Sequence, residues 1–144
     1  MTSEAATTTH PSVAKESAMR VAVASIAAPV LVPGRRAFFT YRDLGVSAGS
    51  AGKMRAQVAS ASTGMSKPTG WHYHVCEGQF VYVLNGWIEL EFVDRGVVRL
   101  GAGDSIFIPG GTPHNEIRTS DTFDLLECSV PAEMGTVACE APAR

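Results

Sequence analysis

The chain has 144 residues, a formal net charge of -2 and basic residues scattered along its length, which suits one domain whose core needs no disulfides. No basic stripe of the kind that binds nucleic acid is present, so nucleic acid is not an expected partner. Cys76, Cys128 and Cys139 are an odd count without metal-knuckle spacing. That pattern implies free thiols in a reducing compartment, and the cytoplasm is the expected location.

In chain order, residues 1–18 are rich in Ser, Thr and Ala and are expected to form a flexible tail. Glu4 and Glu16 in this leader speak against a secretory signal. Residues 19–36 contain the apolar run Val21 to Val32, interrupted by Ser25 and Pro29. It is too short to cross a bilayer, so no membrane partner is expected. The segment is predicted to pack on the main domain or on a second subunit.

From residue 37 to 134 the chain reads as short strands punctuated by Gly, Pro, Asn and Asp, with no stretch of helical period. The predicted strands are Ala37 to Asp43, Lys53 to Ala61, Gly70 to His74, Gln79 to Leu84 and Trp87 to Val93. Val97 to Leu100, Ser105 to Ile108, His114 to Arg118 and Thr122 to Val130 follow, the last placing Cys128 in the core. The loop Gly45 to Gly52 is small and polar. Strand signals stop at Pro131, and residues 135–144 are expected to be a C-terminal tail. The class is all-β, a sandwich or small barrel.

Asn85-Gly86 is a strong hairpin signal and favours a two-residue type I′ turn. Such a turn pairs Val83 with Ile88, Val81 with Leu90 and Gln79 with Phe92 on one face. Tyr82 with Glu89 and Phe80 with Glu91 then occupy the other, amphipathic face, which suits solvent or a partner. Gln79 is the one polar group of the apolar inner face. A buried amide without partners is costly, so Gln79 needs one.

His72 and His74 are two residues apart in a strand and project to one side. Two converging imidazoles make half of a first-row metal site. A third, His114, follows the Gly/Pro-rich turn Pro109-Gly110-Gly111-Thr112-Pro113. The plainer alternative is a pair of buried histidines held by hydrogen bonds. His10 lies in the leader and is not a credible ligand.

These stretches resemble the paired motifs of the cupin superfamily. His72, His74, Gln79 and Gly86 stand at the spacing of the first motif, with Gln79 in place of the usual Glu. Gly103, Pro109, Gly111 and His114 match the second, with Arg118 where Asn is usual. The resemblance implies a single-domain antiparallel β-barrel or jelly roll (a double-stranded β-helix) holding one divalent transition metal through His72, His74, Gln79 and His114. Fe, Mn, Co, Ni and Zn all suit these donors. Glu77 competes with Gln79 for the fourth position and is otherwise a candidate acid/base group. A neutral Gln donor leaves a divalent ion its full charge, which favours Lewis-acid over redox chemistry. The function implied is a metal-dependent enzyme acting on a small oxygenated molecule, a keto, enol or sugar acid, by isomerisation, ketonisation or cyclisation. A dioxygenase and a non-catalytic ligand binder or sensor are the alternatives. Cupins commonly dimerise through aromatic outer faces, and a homodimer is expected here.

Arg118 is four residues beyond His114, so in a continuous strand it shares the ligand's inner face. A guanidinium there needs an anion. Glu116 or Glu77 can supply it, or Arg118 clamps a substrate carboxylate as a catalytic residue.

Overall fold

Strands that bury one face and expose the other must stack in two layers, and this chain does so through nested pairing. The computed structural model describes residues 18–143. Its elements are β1 (Val30–Val32), β2 (Thr40–Asp43), a short α1 (Val46–Gly49), β3 (Arg55–Ala61), β4 (His72–Val75) and β5 (Gly78–Asn85). They continue with β6 (Trp87–Phe92), β7 (Gly96–Gly101), β8 (Ser105–Pro109), β9 (His114–Thr119), β10 (Phe123–Val130) and β11 (Gly135–Ala138). One sheet has the order β1-β2-β3-β10-β5-β8 and the other β11-β4-β9-β6-β7. The antiparallel pairs β3/β10, β4/β9, β5/β8 and β6/β7 alternate between the sheets. A long two-stranded ribbon rolled up on itself gives this order, which is a jelly roll.

The core lies between the sheets. Tyr41, Ala59, Val81, Val83, Phe123 and Leu125 face it from one side, and Ile88, Leu90, Phe92 and Leu100 from the other. The inner-face residues expected on β5 and β6 are thus buried, but the expected hairpin does not exist. β5 and β6 belong to opposite sheets, and β5 pairs with β10 and β8 instead. A type I′ turn requires positive φ at both central residues. Here Gly86 has φ 74° while Asn85 is not in the positive-φ region. The dipeptide is therefore a corner between layers. A side chain at Gly86 would collide with Ser120 Oγ and the Thr122 carbonyl, so the corner fits only glycine.

Three further expectations change. Residues 135–138, read as part of a tail, form β11 along the open edge of β4. All four of its residues are exposed, so the strand is held by backbone pairing and leaves no apolar periodicity to read. In β10 it is Phe123, Leu125, Glu127 and Ser129 that are buried, and Cys128 is half-buried on the other face, opposite Phe80. Glu89, expected on a face towards solvent or a partner, is buried within the chain between Arg99 and Arg118. No described helix is long and apolar enough to cross a membrane.

Candidate metal centre

The five-stranded sheet supplies all three histidines. His72 and His74 are alternate residues of β4, and His114 is the register partner of His72 on β9. Their rings converge, with centroids 4.5 Å apart for His72 and His114, 5.0 Å for His74 and His114, and 5.2 Å for His72 and His74. One nitrogen from each lies within 4.8 Å of the others, and all three residues are buried. The Gly/Pro turn aims His114. A Cβ at Gly110 would collide with the Cys76 carbonyl, and the Gly111 amide donates to the His74 carbonyl at 2.9 Å. The turn therefore packs directly on the strand that carries the first two histidines.

The outer nitrogens are tied down. His72 Nδ1 donates to the Gly70 carbonyl at 2.8 Å and His114 Nδ1 to the Thr112 carbonyl at 2.9 Å. A carbonyl only accepts, so each neutral ring carries its proton on Nδ1 and turns a bare Nε2 inward. His74 Nδ1 meets Thr136 Oγ1 of β11 at 3.1 Å. Burial is the main reason that all three imidazoles resist protonation. It lowers His72, brings His74 to about 3 and His114 to about 4, and the Arg35 charge pushes each in the same direction.

Gln79 lies on β5 in the opposite sheet and lines the same cavity as His114. Its amide nitrogen donates to Glu127 Oε1 at 2.9 Å, and its carbonyl oxygen is buried without a partner. His72 Nε2 and His74 Nε2 are likewise buried and unpartnered. Orphaned buried acceptors are rare in folded proteins and usually mark an ion or water. Three of them on these residues fit a divalent transition metal bound by imidazole nitrogens with an amide oxygen as the added donor.

The other two expected site residues lie elsewhere. Glu77 is exposed and borders a shallow outer depression with Phe80, Phe107 and Cys128, whereas Gln79 is buried. Arg118 is on the outer face, correcting the inward placement. A bulge intervenes on β9: Glu116 is opposite Leu90 but Arg118 is opposite Glu89, which leaves Ile117 as the extra residue and reverses the alternation. Arg118 Nε binds Glu89 Oε2 at 2.6 Å with its side chain 63% exposed. The partner is neither Glu116 nor Glu77.

Sequence reasoning missed Glu127, Gln57, Arg35, Arg36 and Thr136. Glu127 is buried and accepts from Gln79 and, at 3.4 Å, from Gln57 Nε2 of β3, with Arg55 Nη2 at 3.9 Å. Its parity with Phe123 and Leu125 was the available signal. Arg35, Arg36, Gln79, His114, Glu116 and Glu127 line a small central cavity of about 40 Å³ together with Tyr41 and apolar core residues.

A cupin domain model matches residues 63–126, the span that holds all three histidines and Gln79. The chain is 40% identical over 58 residues to a 3-hydroxyanthranilate 3,4-dioxygenase of Scheffersomyces stipitis, a match covering 38% of this chain and 34% of that protein. The chain thus spans about a third of that relative's length. Among solved structures, the polyketide cyclase RemF from Streptomyces resistomycificus is 22% identical with a TM-score of 0.66, over 85% of this chain and 87% of that one. KdgF from Halomonas sp. is 17% identical with a TM-score of 0.56, over 70% and 87%. With the matched domain, the nested strand order and the histidine pair of the first motif in place, residues 63–126 carry a cupin domain within a cupin-like jelly roll.

Proposed function

We propose that this cupin is a metal-dependent enzyme acting on a small oxygenated substrate of the keto, enol or sugar-acid class, by isomerisation, ketonisation or cyclisation. The observation that carries this reading is the set of inward, unpartnered donors, His72 Nε2, His74 Nε2 and Gln79 Oε1, with His114 completing the cluster. When bound there, a divalent ion supplies Lewis acidity to a substrate oxygen. The protein's own contribution is to keep the imidazoles neutral, hold the Gln79 carbonyl towards them, and limit water in a cavity of about 40 Å³. Glu127 balances part of the ion's charge from behind Gln79. The carboxylate usual at the ligand position is thus replaced by an amide backed by a carboxylate. Fe, Mn, Co, Ni and Zn remain the candidate metals.

A dioxygenase reading has one observation in its favour, the local identity to a 3-hydroxyanthranilate 3,4-dioxygenase. Oxygen consumption separates the two. Turnover of candidate keto and enol acids that is lost on chelation and restored by metal, without oxygen uptake, supports the isomerase reading. Turnover that requires oxygen rejects it, and ligand binding without metal or turnover leaves a sensor.

The expected homodimer draws support from exposed apolar groups. Val21, Val23, Ile26 and Leu31 of the N-terminal segment are 93%, 89%, 74% and 62% exposed. Phe80, Tyr82 and Phe107 add to an apolar surface on the six-stranded sheet, and surfaces of this kind tend to be covered.

A further inference from the structure

We propose that Arg35 and Arg36, on the link between β1 and β2, form an anion-recognising mouth that seats the carboxylate of a small 2-oxo, 2-hydroxy or enol acid beside the histidine cluster. This rests on the function proposed above and names the residues that would select its substrate.

Both arginines line the central cavity together with His114, Gln79, Tyr41 and Glu116. Arg36 is half-buried, and its Nε is fully buried with no hydrogen-bond partner. A guanidinium is always charged, and a buried donor without an acceptor is costly. Such a donor is matched by an acceptor that arrives with a ligand. The main chain around it is fixed, because the Arg36 amide donates to the Tyr41 hydroxyl at 3.3 Å. Arg35 is braced on the other side, its Nη1 donating to Thr136 Oγ1 at 3.3 Å, the same hydroxyl that meets His74 Nδ1. The two arginines therefore stand on an anchored link whose contacts lead directly to a histidine of the cluster.

Charge points the same way. Glu127 is occupied by Gln79, Gln57 and Arg55. Among the described residues, neither Arg35 nor Arg36 has a carboxylate within ion-pair distance. Counting Arg55, which lies 3.9 Å from Glu127, three guanidinium groups stand against the two cavity carboxylates Glu116 and Glu127, so one positive charge is in excess before any metal binds. Guanidinium and carboxylate match in shape as well as in charge. The cavity, about 40 Å³, has room for about three waters at 10–15 Å³ each, which suits a small acid or the acid end of a longer one.

The test is calorimetric titration of the full-length, zinc-loaded protein with pyruvate and lactate against uncharged hydroxyacetone, with zinc content measured on each sample. Wild type is expected to prefer the acids. Arg36→Gln is expected to weaken pyruvate binding by about ten-fold to a hundred-fold, the size of a lost charged hydrogen bond, with zinc content and melting temperature unchanged. Arg36→Lys should recover part of the loss, since it restores the charge without the fork. Arg35→Gln, at an exposed position, provides a second variant should Arg36→Gln fold poorly, and is expected to weaken pyruvate binding in the same direction. Equal pyruvate affinity in wild type and both glutamine variants, or no preference for acids in wild type, overturns the mouth. Failure of wild type to take up zinc or any of the other candidate metals contradicts the proposed function instead, while arginine-dependent pyruvate binding to that metal-free protein would still support the mouth.

Discussion

Gln79 and Glu127 meet across neighbouring strands, amide nitrogen to carboxylate oxygen at 2.9 Å, and this contact decides which end of the Gln79 amide is left without a partner. An ionised carboxylate only accepts hydrogen bonds, so the amide NH₂ must turn to Glu127 and the carbonyl is left free. Gln79→Ala is expected to weaken metal binding by about ten-fold to a hundred-fold, and Glu127→Gln by a smaller factor in the same direction through loss of that orientation. Competition titration with a chromogenic chelator measures both. Unchanged affinity in Gln79→Ala would remove it from the ligand set.

Glu77→Ala and Arg118→Ala provide the contrast. Glu77 is exposed on the outside, and Arg118 sits in a surface ion pair with Glu89, so both variants are expected to keep metal content and acid affinity at wild-type levels. Loss of metal from either would show that the outer face communicates with the site in a way these contacts do not explain.

Most of the architecture was legible because it rests on local alternation. All nine strands predicted between Ala37 and Val130 form, with ends displaced by a few residues. His72 and His74 sit together for the same reason, since one short strand needs only its period of two. What failed depended on longer-range geometry. The bulge on β9 turns Arg118 outward, and no residue type in His114 to Thr119 announces it. Asn85-Gly86 carries a hairpin signature yet makes a corner, because each flanking strand finds its partners in a different sheet. Glu127 shares β10 with Phe123 and Leu125, but only the pairing of β10 with β5 brings it to Gln79. Arg35 and Arg36 lie in a link without periodicity, and only the tertiary fold carries them to the cavity.

Acid should destabilise the metal-free protein through its histidines. Their folded values are depressed, His74 to about 3 and His114 to about 4, with His72 lowered as well, against about 6.5 when unfolded. Between those limits the unfolded chain binds more protons than the native one. This contribution to stability is therefore fully present above about pH 6.5 and falls as pH drops towards 4 and 3. Urea unfolding of metal-free protein is expected to give a lower midpoint at pH 5 than at pH 7, with a smaller difference in His74→Gln. Equal midpoints in wild type would mean that the histidines are not held neutral.

The exposed apolar residues of the N-terminal segment and of the outer sheet lead to an expected homodimer at micromolar concentration. Replacing Val21, Val23 and Ile26 together by Ser is expected to shift it towards monomer, as read by light scattering. A wild-type monomer would leave these residues without a cover.

Elemental analysis of untagged protein, beside His72→Ala and His114→Ala, tests the metal centre most directly. Up to one divalent transition metal per wild-type chain is expected, as purified or after titration, with its loss from both variants and the fold retained. Wild-type protein that carries no metal and takes none up on titration would contradict it.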